Sequence, residues 1–238
     1  MSIADKLVTI AENEQKVYDA GKKAQYDLFW NTFQRWDNAT QKTKRTDYRR
    51  AFAYWYLADA IFKPKYDVVP EGDASYMFWN FRTMADLSNI TNMDGKIVKF
   101  DFSKVTNFAY MFDTSIVRKT GVLDCSSTNS LNNAFIRAEQ LHTIEKLIVH
   151  EGITNYQFCF ANASALKNIT VEGVVAGDNI VLSAHVGLTP ESIMSFINAL
   201  KDYSGTATTK TITFGATNLA KLTNSEKAVA TQKGWTLT

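Results

Sequence analysis

One hydrophobic pattern returns four times in the middle of the chain, each time ending in phenylalanine. The copies stand 34, 23 and 25 residues apart: Met77-Phe78, Met111-Phe112, Ala134-Phe135 and Cys159-Phe160. A period in the twenties is typical of proteins built from stacked repeats, in which each copy buries its apolar side against its neighbours. We therefore interpret the repeated phenylalanines as core residues rather than as a ligand site.

Each copy has further features in common. A small polar residue stands five positions before the phenylalanine: Asp73, Asn107, Ser130 and Asn155. Such side chains bond to neighbouring backbone N–H groups, so they predict a turn in front of each phenylalanine. Short apolar runs at 147–149 and 169–171 predict strands. The longer first copy predicts a turn at Asp94-Gly95 and an alternating strand over 97–102.

An amphipathic stripe precedes the repeats. Its apolar positions follow an alternating four-three spacing that Glu14 and Gly21 interrupt: Ile3, Leu7, Ile10, Val17 and Leu28. The spacing predicts a helix from about Ser2 that either folds back on the repeats or associates with copies of itself or a partner. We favour association in a homo-oligomer, because no adjacent segment has the pattern of a partner helix.

Residues 40–66 are basic and aromatic, with seven Lys and Arg against Asp47 and Asp59. Tyr48, Phe52 and other aromatic residues are interleaved with these charges. One interpretation is a cap that covers the exposed core of the first repeat, as terminal repeats require. The other is a surface that stacks on single-stranded nucleic acid. We favour the cap.

The last third of the chain predicts a closing unit of helices and strands. Thr189 begins a helix with proline in its first turn, and a strand follows over 211–214. The spacing from Thr223 to Glu226 is that of a capping box and predicts a second helix. Residues 235–237 then predict the last strand.

The repeats resemble the irregular leucine-rich repeats of the BspA type, most clearly at 73–78 (DASYMF), 107–112 (NFAYMF) and 158–171 (FCFANASALKNITV). Together with the stacked-repeat pattern, this resemblance implies an α/β fold. It would be an irregular leucine-rich repeat solenoid with one stacked sheet, an N-terminal helix and an α/β C-terminal cap. The second copy departs from the family pattern at Arg118 and Gly121, where leucine-like residues are expected.

The ends of the chain narrow the resemblance. Residues 1–33, 62–67 and 188–238 resemble leucine-rich repeat proteins encoded among the tail genes of phages and prophages of gut Firmicutes. This implies binding rather than catalysis, in a multimeric adhesion or host-recognition protein that is attached through its N-terminal end. The resemblance provides no catalytic residues to carry over to this chain.

These observations predict four parts along the chain. Residues 1–36 form an anchoring or oligomerisation helix, 37–72 an N-terminal cap segment, 73–185 the leucine-rich repeat solenoid and 186–238 the C-terminal cap. Terminal caps of this kind keep the apolar ends of a repeat stack from solvent.

Motifs for catalysis are missing from the sequence. His142, His150 and His185 have no Cys or acidic residue at metal-ligand spacing, so we predict surface or strand positions for them. The sequence contains no G-x-S-x-G elbow, no phosphate-binding glycine loop and no H-E-x-x-H. A carboxylate pair for glycoside hydrolysis stays open, because it would leave no linear trace. We predict no enzyme activity, no metal and no cofactor.

Charge and hydropathy bear on where the protein is expected in the cell. The formal net charge is +2, and no apolar run reaches the length of a membrane span. The N-terminus lacks the pattern of a secretion signal, so we expect a protein that is made in the bacterial cytoplasm and stays there or leaves by cell lysis or in an assembled particle. The resemblance implies localisation in the virion tail. Cys125 and Cys159 occupy apolar positions, and we predict two buried free thiols rather than a disulfide.

We therefore predict a phage tail-associated structural and host-recognition protein whose repeat surface binds a bacterial cell-wall glycan or surface protein, beside other tail proteins. The candidate ligand contacts are aromatic and basic side chains, the types that dominate binding hot spots: Trp79, Arg82, Tyr54 and Trp55. Two alternatives stay open, a purely architectural virion component and a nucleic-acid-binding protein that uses residues 40–66.

Overall fold

The structure is a computed structural model that describes residues 64, 66–82 and 86–238, together with the short stretches 20, 24, 36–37, 42–43, 48–49 and 51–53. The chain separates into two compact units, Met1–Arg45 and Thr46–Thr238. The division into four parts expected from the sequence stays a prediction.

Among its described residues, the first unit has one small sheet. Strands β1 (Trp36–Asp37) and β2 (Lys42–Thr43) pair antiparallel. Ala20 and Ala24 are helical and exposed. The apolar positions of the predicted anchor helix lie outside the described residues: Ile3, Leu7, Ile10, Val17 and Leu28.

The second unit contains eight strands and three helices within its described residues. The strands are β3 (Glu71–Asp73), β4 (Lys104–Asn107), β5 (Lys119–Asp124), β6 (Thr143–Val149), β7 (Asn168–Gly173), β8 (Ile180–Val181), β9 (Lys210–Thr213) and β10 (Trp235–Leu237). The helices are α1 (Pro190–Ala199), α2 (Ala216–Leu219) and α3 (Asn224–Gln232).

The expectation of a leucine-rich repeat solenoid with one stacked sheet is wrong. In the second unit β3 pairs with β4, β5 to β7 form a separate three-stranded sheet, and β8 to β10 form another. All of these pairings are parallel. The part of the chain that the structure describes is a mixed α/β arrangement of small parallel sheets with few helices.

The sheets are separate because some strands stand before a phenylalanine turn in the sequence and others stand after one. β3 and β4 come before the first two turns, whereas β5, β6 and β7 come after the later three. Before the third and fourth turns the pairing is reduced to a single bridge between Ser130 and Asn155. Thr128 precedes that bridge, and its Oγ1 accepts a hydrogen bond from the N–H of Ser130 at 3.3 Å, which favours a turn over an extended strand.

The predicted strand over 97–102 is also absent from the described structure. Ile97 makes one antiparallel bridge to Thr91, and Phe100 makes one parallel bridge to Val68. The turn at Gly95 is found, with a left-handed φ of 77°. The extra length of the first copy therefore forms a turn and two isolated bridges.

The phenylalanines of the four copies stack in the core, as predicted. With Phe52 they form a row that we call the phenylalanine ladder: Phe52, Phe78, Phe112, Phe135 and Phe160. Successive ring centroids lie 5.3, 5.1, 5.4 and 5.4 Å apart, and the last three pairs are within 8° of parallel. All five rings are buried, so the ladder is the hydrophobic centre of the turns.

Backbone hydrogen bonds hold successive turns in register. In each of the first three copies the phenylalanine N–H donates at 2.8 Å to the carbonyl of the residue before the next phenylalanine: Phe78 to Met111, Phe112 to Ala134 and Phe135 to Cys159. The N–H of Phe52 likewise donates to Met77 at 2.7 Å. The ladder spacing is therefore set by main-chain bonding and does not depend on ring attraction alone.

The predicted polar turn caps are confirmed. In every copy the side chain five residues before the phenylalanine accepts a bond from the N–H two positions on: Asp73 from Ser75, Asn107 from Ala109, Ser130 from Asn132 and Asn155 from Gln157. Each turn also has two left-handed residues, two positions before and two after the phenylalanine: Tyr76, Asn80, Tyr110, Thr114, Asn133, Arg137, Phe158 and Asn162.

Helix α1 covers the outer edge of β7. The N–H of Ile169 donates to Ser192 Oγ at 3.0 Å, and the N–H of Val171 donates to Ser195 Oγ at 2.6 Å. The two hydroxyls in turn donate to the carbonyls of Lys167 and Val171. Serines of the helix thus take the place of a further strand and satisfy an edge that could otherwise pair with another chain.

The C-terminal elements predicted from the sequence are confirmed. Thr189 caps α1 by accepting from the N–H of Ser192 at 3.2 Å. Thr223 and Glu226 form the capping box of α3. β9 pairs with both β8 and β10, so the last strand completes a sheet as expected.

Candidate functional site

One side of the turns carries aromatic and charged side chains. The left-handed residues two positions before each phenylalanine occupy equivalent backbone positions on the four turns, which we call a row: Tyr76, Tyr110, Asn133 and Phe158. Beside this row lie Trp79, Asp113 and Arg137. We call these seven residues the turn face.

Two tyrosines of the turn face stack on each other. The rings of Tyr76 and Tyr110 are 4.8 Å apart and 2° from parallel. Trp79 packs edge-on against Tyr76 at 5.4 Å. All three side chains are partly exposed. The register that stacks the buried phenylalanines therefore also stacks rings at the surface, where they remain within reach of a ligand.

An ion pair lies beside Tyr110. Arg137 donates from Nε to Asp113 Oδ1 at 2.9 Å and from Nη2 to Asp113 Oδ2 at 2.7 Å. The Asp113 side chain is 3% exposed, whereas that of Arg137 is 49% exposed. The hydrogen bonds and charge of Asp113, with a smaller contribution from Tyr110, raise the pKa of Arg137. The guanidinium is thus held in one orientation by a two-bond contact, and the pair adds no net charge.

The aromatic row is interrupted at the third copy. Asn133 occupies this position and is 6% exposed. Its Nδ2 donates to Asn132 Oδ1 at 2.6 Å, and its own Oδ1 accepts no hydrogen bond from any described residue. In the fourth copy Phe158 is 57% exposed and makes no ring contact with a described aromatic residue. The row thus has rings in copies one, two and four, and a polar side chain in copy three.

The structure brings one of the predicted contact residues into this group. Trp79 belongs to the turn face through its contact with Tyr76. Arg82 is exposed and follows the first turn. Tyr54 and Trp55 lie outside the described residues.

Sequence reasoning missed the other aromatic members. The repeating phenylalanines predict the core and carry no information on the exposure of Tyr76, Tyr110 and Phe158. A signal for them existed: each stands two positions before a ladder phenylalanine. Aromatic residues recurring at a position off the buried stripe indicate either a second packed row or a binding surface.

The described aromatic residues of the segment 40–66 include two that belong to the core. Tyr48 and Phe52 are each 1% exposed. Phe52 packs against Phe78 at 5.3 Å and bonds to Met77 through its backbone. Phe52 thus packs on the phenylalanine of the first copy, and neither buried ring can stack on the bases of a nucleic acid.

The predicted free thiols are confirmed. Cys125 and Cys159 are buried and unbonded, and burial raises the pKa of both thiols. Tyr156 lies near them, and burial likewise raises its pKa. Its hydroxyl has no hydrogen-bond partner in the described part of the chain. Thiols in such surroundings are chemically inert rather than nucleophilic.

The predicted surface or strand position of His185 is wrong, because the residue is buried and lies outside the strands. This residue is 1% exposed and stands edge-on to Phe160 at 6.4 Å. Burial lowers the pKa of His185, and the nearby backbone of Leu182 and Phe160 partly opposes this shift. Neither ring nitrogen forms a hydrogen bond with a described residue. His185 is therefore a core residue beyond the last ladder ring, a position that its polarity alone did not predict.

Comparison with family models, with curated proteins and with solved structures gave no match for this chain. Within the described residues no helix is both long and apolar enough to cross a membrane. The same part of the chain contains no group of three or more His, Cys, Asp or Glu side chains that could hold a metal ion.

Proposed function

We propose that this protein is a non-catalytic recognition protein that binds a polymer of the bacterial cell surface, a wall glycan or a surface protein, through the turn face. The resemblance of its repeats and ends suggests that it does so as a component of a phage tail. Binding rather than catalysis is favoured because the turn face offers ring faces and one neutralised ion pair, and no activated nucleophile.

The observation that carries the proposal is the exposed Phe158 in line with Tyr76 and Tyr110. An aromatic side chain that is 57% exposed adds little to the core, so packing does not account for it. Aromatic residues beside an arginine held in one orientation are the composition of binding hot spots. Aromatic rings at equivalent positions of three of the four turns suit a ligand that is itself extended.

Several copies acting together would strengthen such binding. The stripe through Ile3, Leu7 and Ile10 favours a homo-oligomer that is anchored at its N-terminal end. Turn faces carried by one oligomer raise the effective concentration of one another on a polymer with many identical sites. A mass measurement of the intact protein in solution tests this part of the proposal, and a monomer would contradict it.

The direct test is binding of the intact protein to purified cell walls and to whole cells of gut Firmicutes. We expect binding that weakens at least about tenfold in a Tyr110→Ser, Phe158→Ser double variant. Val181→Ser is the matched control, because Val181 is 53% exposed and lies in β8, outside the turn face.

Three outcomes separate the alternatives. Loss in the double variant with retention in the control supports recognition through the turn face. No binding of any form to cells or walls supports a purely architectural component. A mobility shift with single-stranded nucleic acid that disappears as salt is raised supports the nucleic-acid alternative and contradicts the proposal. Antibody labelling of tails in electron micrographs tests the location.

A further inference from the structure

Two positions that follow the ladder phenylalanine depart from the repeat pattern in neighbouring copies. The position directly after the phenylalanine is charged only in the second copy, at Asp113, and the other copies have apolar residues there: Trp79, Ile136 and Ala161. The next position is left-handed in every copy and is charged only in the third, at Arg137, whereas the others have small polar residues: Asn80, Thr114 and Asn162. The two exceptions are the partners of the two-bond ion pair in the turn face.

Folding does not favour either exception. The Asp113 side chain is 3% exposed, and a carboxylate loses much of its hydration when it is buried. An apolar side chain in place of a buried charge is often equally stable or more stable, and the other copies have apolar residues at this position. Arg137 has a φ of 56°, in a region that asparagine adopts more readily than long side chains do. The fold therefore does not account for the choice of these two residues.

The ion pair is also not needed to hold the second and third turns together. The N–H of Phe112 donates to the carbonyl of Ala134 at 2.8 Å. The N–H of Thr114 donates to the carbonyl of Ile136 at 3.2 Å. The equivalent N–H groups join the third and fourth turns at 2.8 and 2.7 Å, although Ile136 and Asn162 at the two positions there carry no charge. Main-chain bonds thus set the register of these turns without an ion pair.

The contact with Asp113 leaves hydrogen-bond donors of Arg137 without a partner. Asp113 accepts from Nε and from one N–H of Nη2, so Nη1 and the second N–H of Nη2 have no acceptor among the described residues. The Arg137 side chain is 49% exposed, and the partly exposed Tyr110 lies beside it. A guanidinium that is already held in one orientation loses less conformational entropy when a ligand binds.

Resting on the proposed function, we infer that Arg137 determines the specificity of the turn face by donating hydrogen bonds to oxygen atoms of a neutral wall glycan, and that Asp113 is its positioning residue. The ligand is neutral because Asp113 already balances the charge of Arg137, and an anionic group at the same guanidinium would be repelled by that carboxylate. A glycan is favoured over a surface protein because sugar hydroxyls are open to donors, whereas most buried carbonyls of a folded protein are already bonded. Binding should therefore depend little on salt.

The test replaces the ion pair with the residue types that the fourth copy has at the same two positions. Asp113→Ala with Arg137→Asn reproduces Ala161 and Asn162 and removes no main-chain donor or acceptor. Arg137→Lys keeps the positive charge beside Asp113 but removes the guanidinium. Its matched control is Arg118→Lys, the same change at an exposed arginine outside the turn face. The probe is purified cell wall of gut Firmicutes, treated with protease to remove protein and with hydrofluoric acid to remove phosphate polymers.

We expect the wild-type protein and Arg118→Lys to co-sediment equally with the treated walls, in low and high salt. Arg137→Lys should bind at least about tenfold more weakly, because an ammonium group does not reproduce the planar set of donors. The double variant should bind as weakly while its melting temperature stays at or above that of the wild type, because no buried carboxylate remains. An ion pair with a purely structural role would instead lower the melting temperature and leave binding unchanged. Should the double variant fail to fold, Arg137→Lys decides the case.

Other results overturn the inference and are distinguishable from failure of the proposed function. If Arg137→Lys binds the treated walls as the wild type does, while Tyr110→Ser with Phe158→Ser does not, Arg137 is not the specificity residue and the broader proposal stands. Binding only to walls that retain phosphate polymers, or binding that falls steeply with salt, indicates an anionic ligand and contradicts the inference. Binding to whole cells but not to protein-free walls indicates a surface protein and likewise contradicts it. If the wild-type protein binds neither walls nor cells, both are wrong.

Discussion

The buried side and the exposed side of the same turns carry two aromatic rows of different completeness. The phenylalanine ladder has a ring in every copy, each within 5.4 Å of the next. The row of the turn face has rings at Tyr76, Tyr110 and Phe158 and a polar side chain at Asn133. Both rows follow one backbone register. The difference between the two rows therefore reflects the burial of the ladder and the partial exposure of the turn face.

Burial explains the complete row. A missing ring in the ladder would leave a cavity that the neighbouring turns cannot close, because main-chain bonds hold them apart. Phe158 of the turn face is 57% exposed, so a smaller side chain there would cost little stability. Packing therefore does not require an aromatic ring at Phe158.

The largest effect should come from removing a ladder ring. Phe135 stacks on Phe112 and Phe160 at 5.4 Å, so Phe135→Ala should lower the free energy of unfolding by about 3–5 kcal/mol through lost burial and a cavity. Phe158→Ala is the surface counterpart and should change it by less than about 0.5 kcal/mol. Urea unfolding measures both. Equal losses would show that the two rows do not differ in the way described.

A smaller loss of stability should follow from removing a serine hydroxyl with which α1 covers the edge of β7. Ser192→Ala removes the acceptor of the Ile169 N–H and the donor to the Lys167 carbonyl. The buried groups left unpaired should lower the free energy of unfolding by about 1–3 kcal/mol. Ser164→Ala, at an exposed serine, should have no measurable effect. A neutral result at Ser192 would indicate that β7 does not need the helix serines.

The buried side should also respond to pH through His185. Its pKa lies below the ordinary value because of burial. The unfolded chain therefore takes up the proton more readily, and stability should fall as pH decreases below about 6.5 toward the folded pKa.

His185→Leu should flatten this dependence between about pH 6.5 and 5, whereas His142→Gln, at an exposed histidine, should not. Thermal unfolding across this range measures the slope for each variant. An unchanged slope in His185→Leu would mean that another group controls the acid response.

The sequence predicted those parts of the fold that depend on local pattern. Turn caps such as Asn107, the stacked phenylalanines and the capping box at Thr223 each follow from residues close in sequence. The division into separate sheets could not be predicted from the local sequence pattern. Whether a strand forms before or after a turn depends on its pairing with another copy, and the sequences of these short strands do not show which pairing occurs.

The candidate site was predicted only in part for the same reason. Trp79 was identified because its residue type is common in binding sites. Phe158 was not, because its exposure depends on a left-handed backbone that the sequence does not reveal for a non-glycine residue. The burial of His185 likewise arises from packing against Phe160, 25 positions earlier in the chain.

The most direct test of the account is a map of where a wall glycan contacts the protein. Fragments of purified wall glycan would be titrated into the isotopically labelled intact protein, with every assigned amide followed. We predict saturable shifts concentrated at Tyr110, Asn133, Arg137 and Phe158, with the residues around Val181 unmoved. Saturable shifts centred elsewhere, or no shifts in the presence of proven wall binding, would contradict the assignment of function to the turn face.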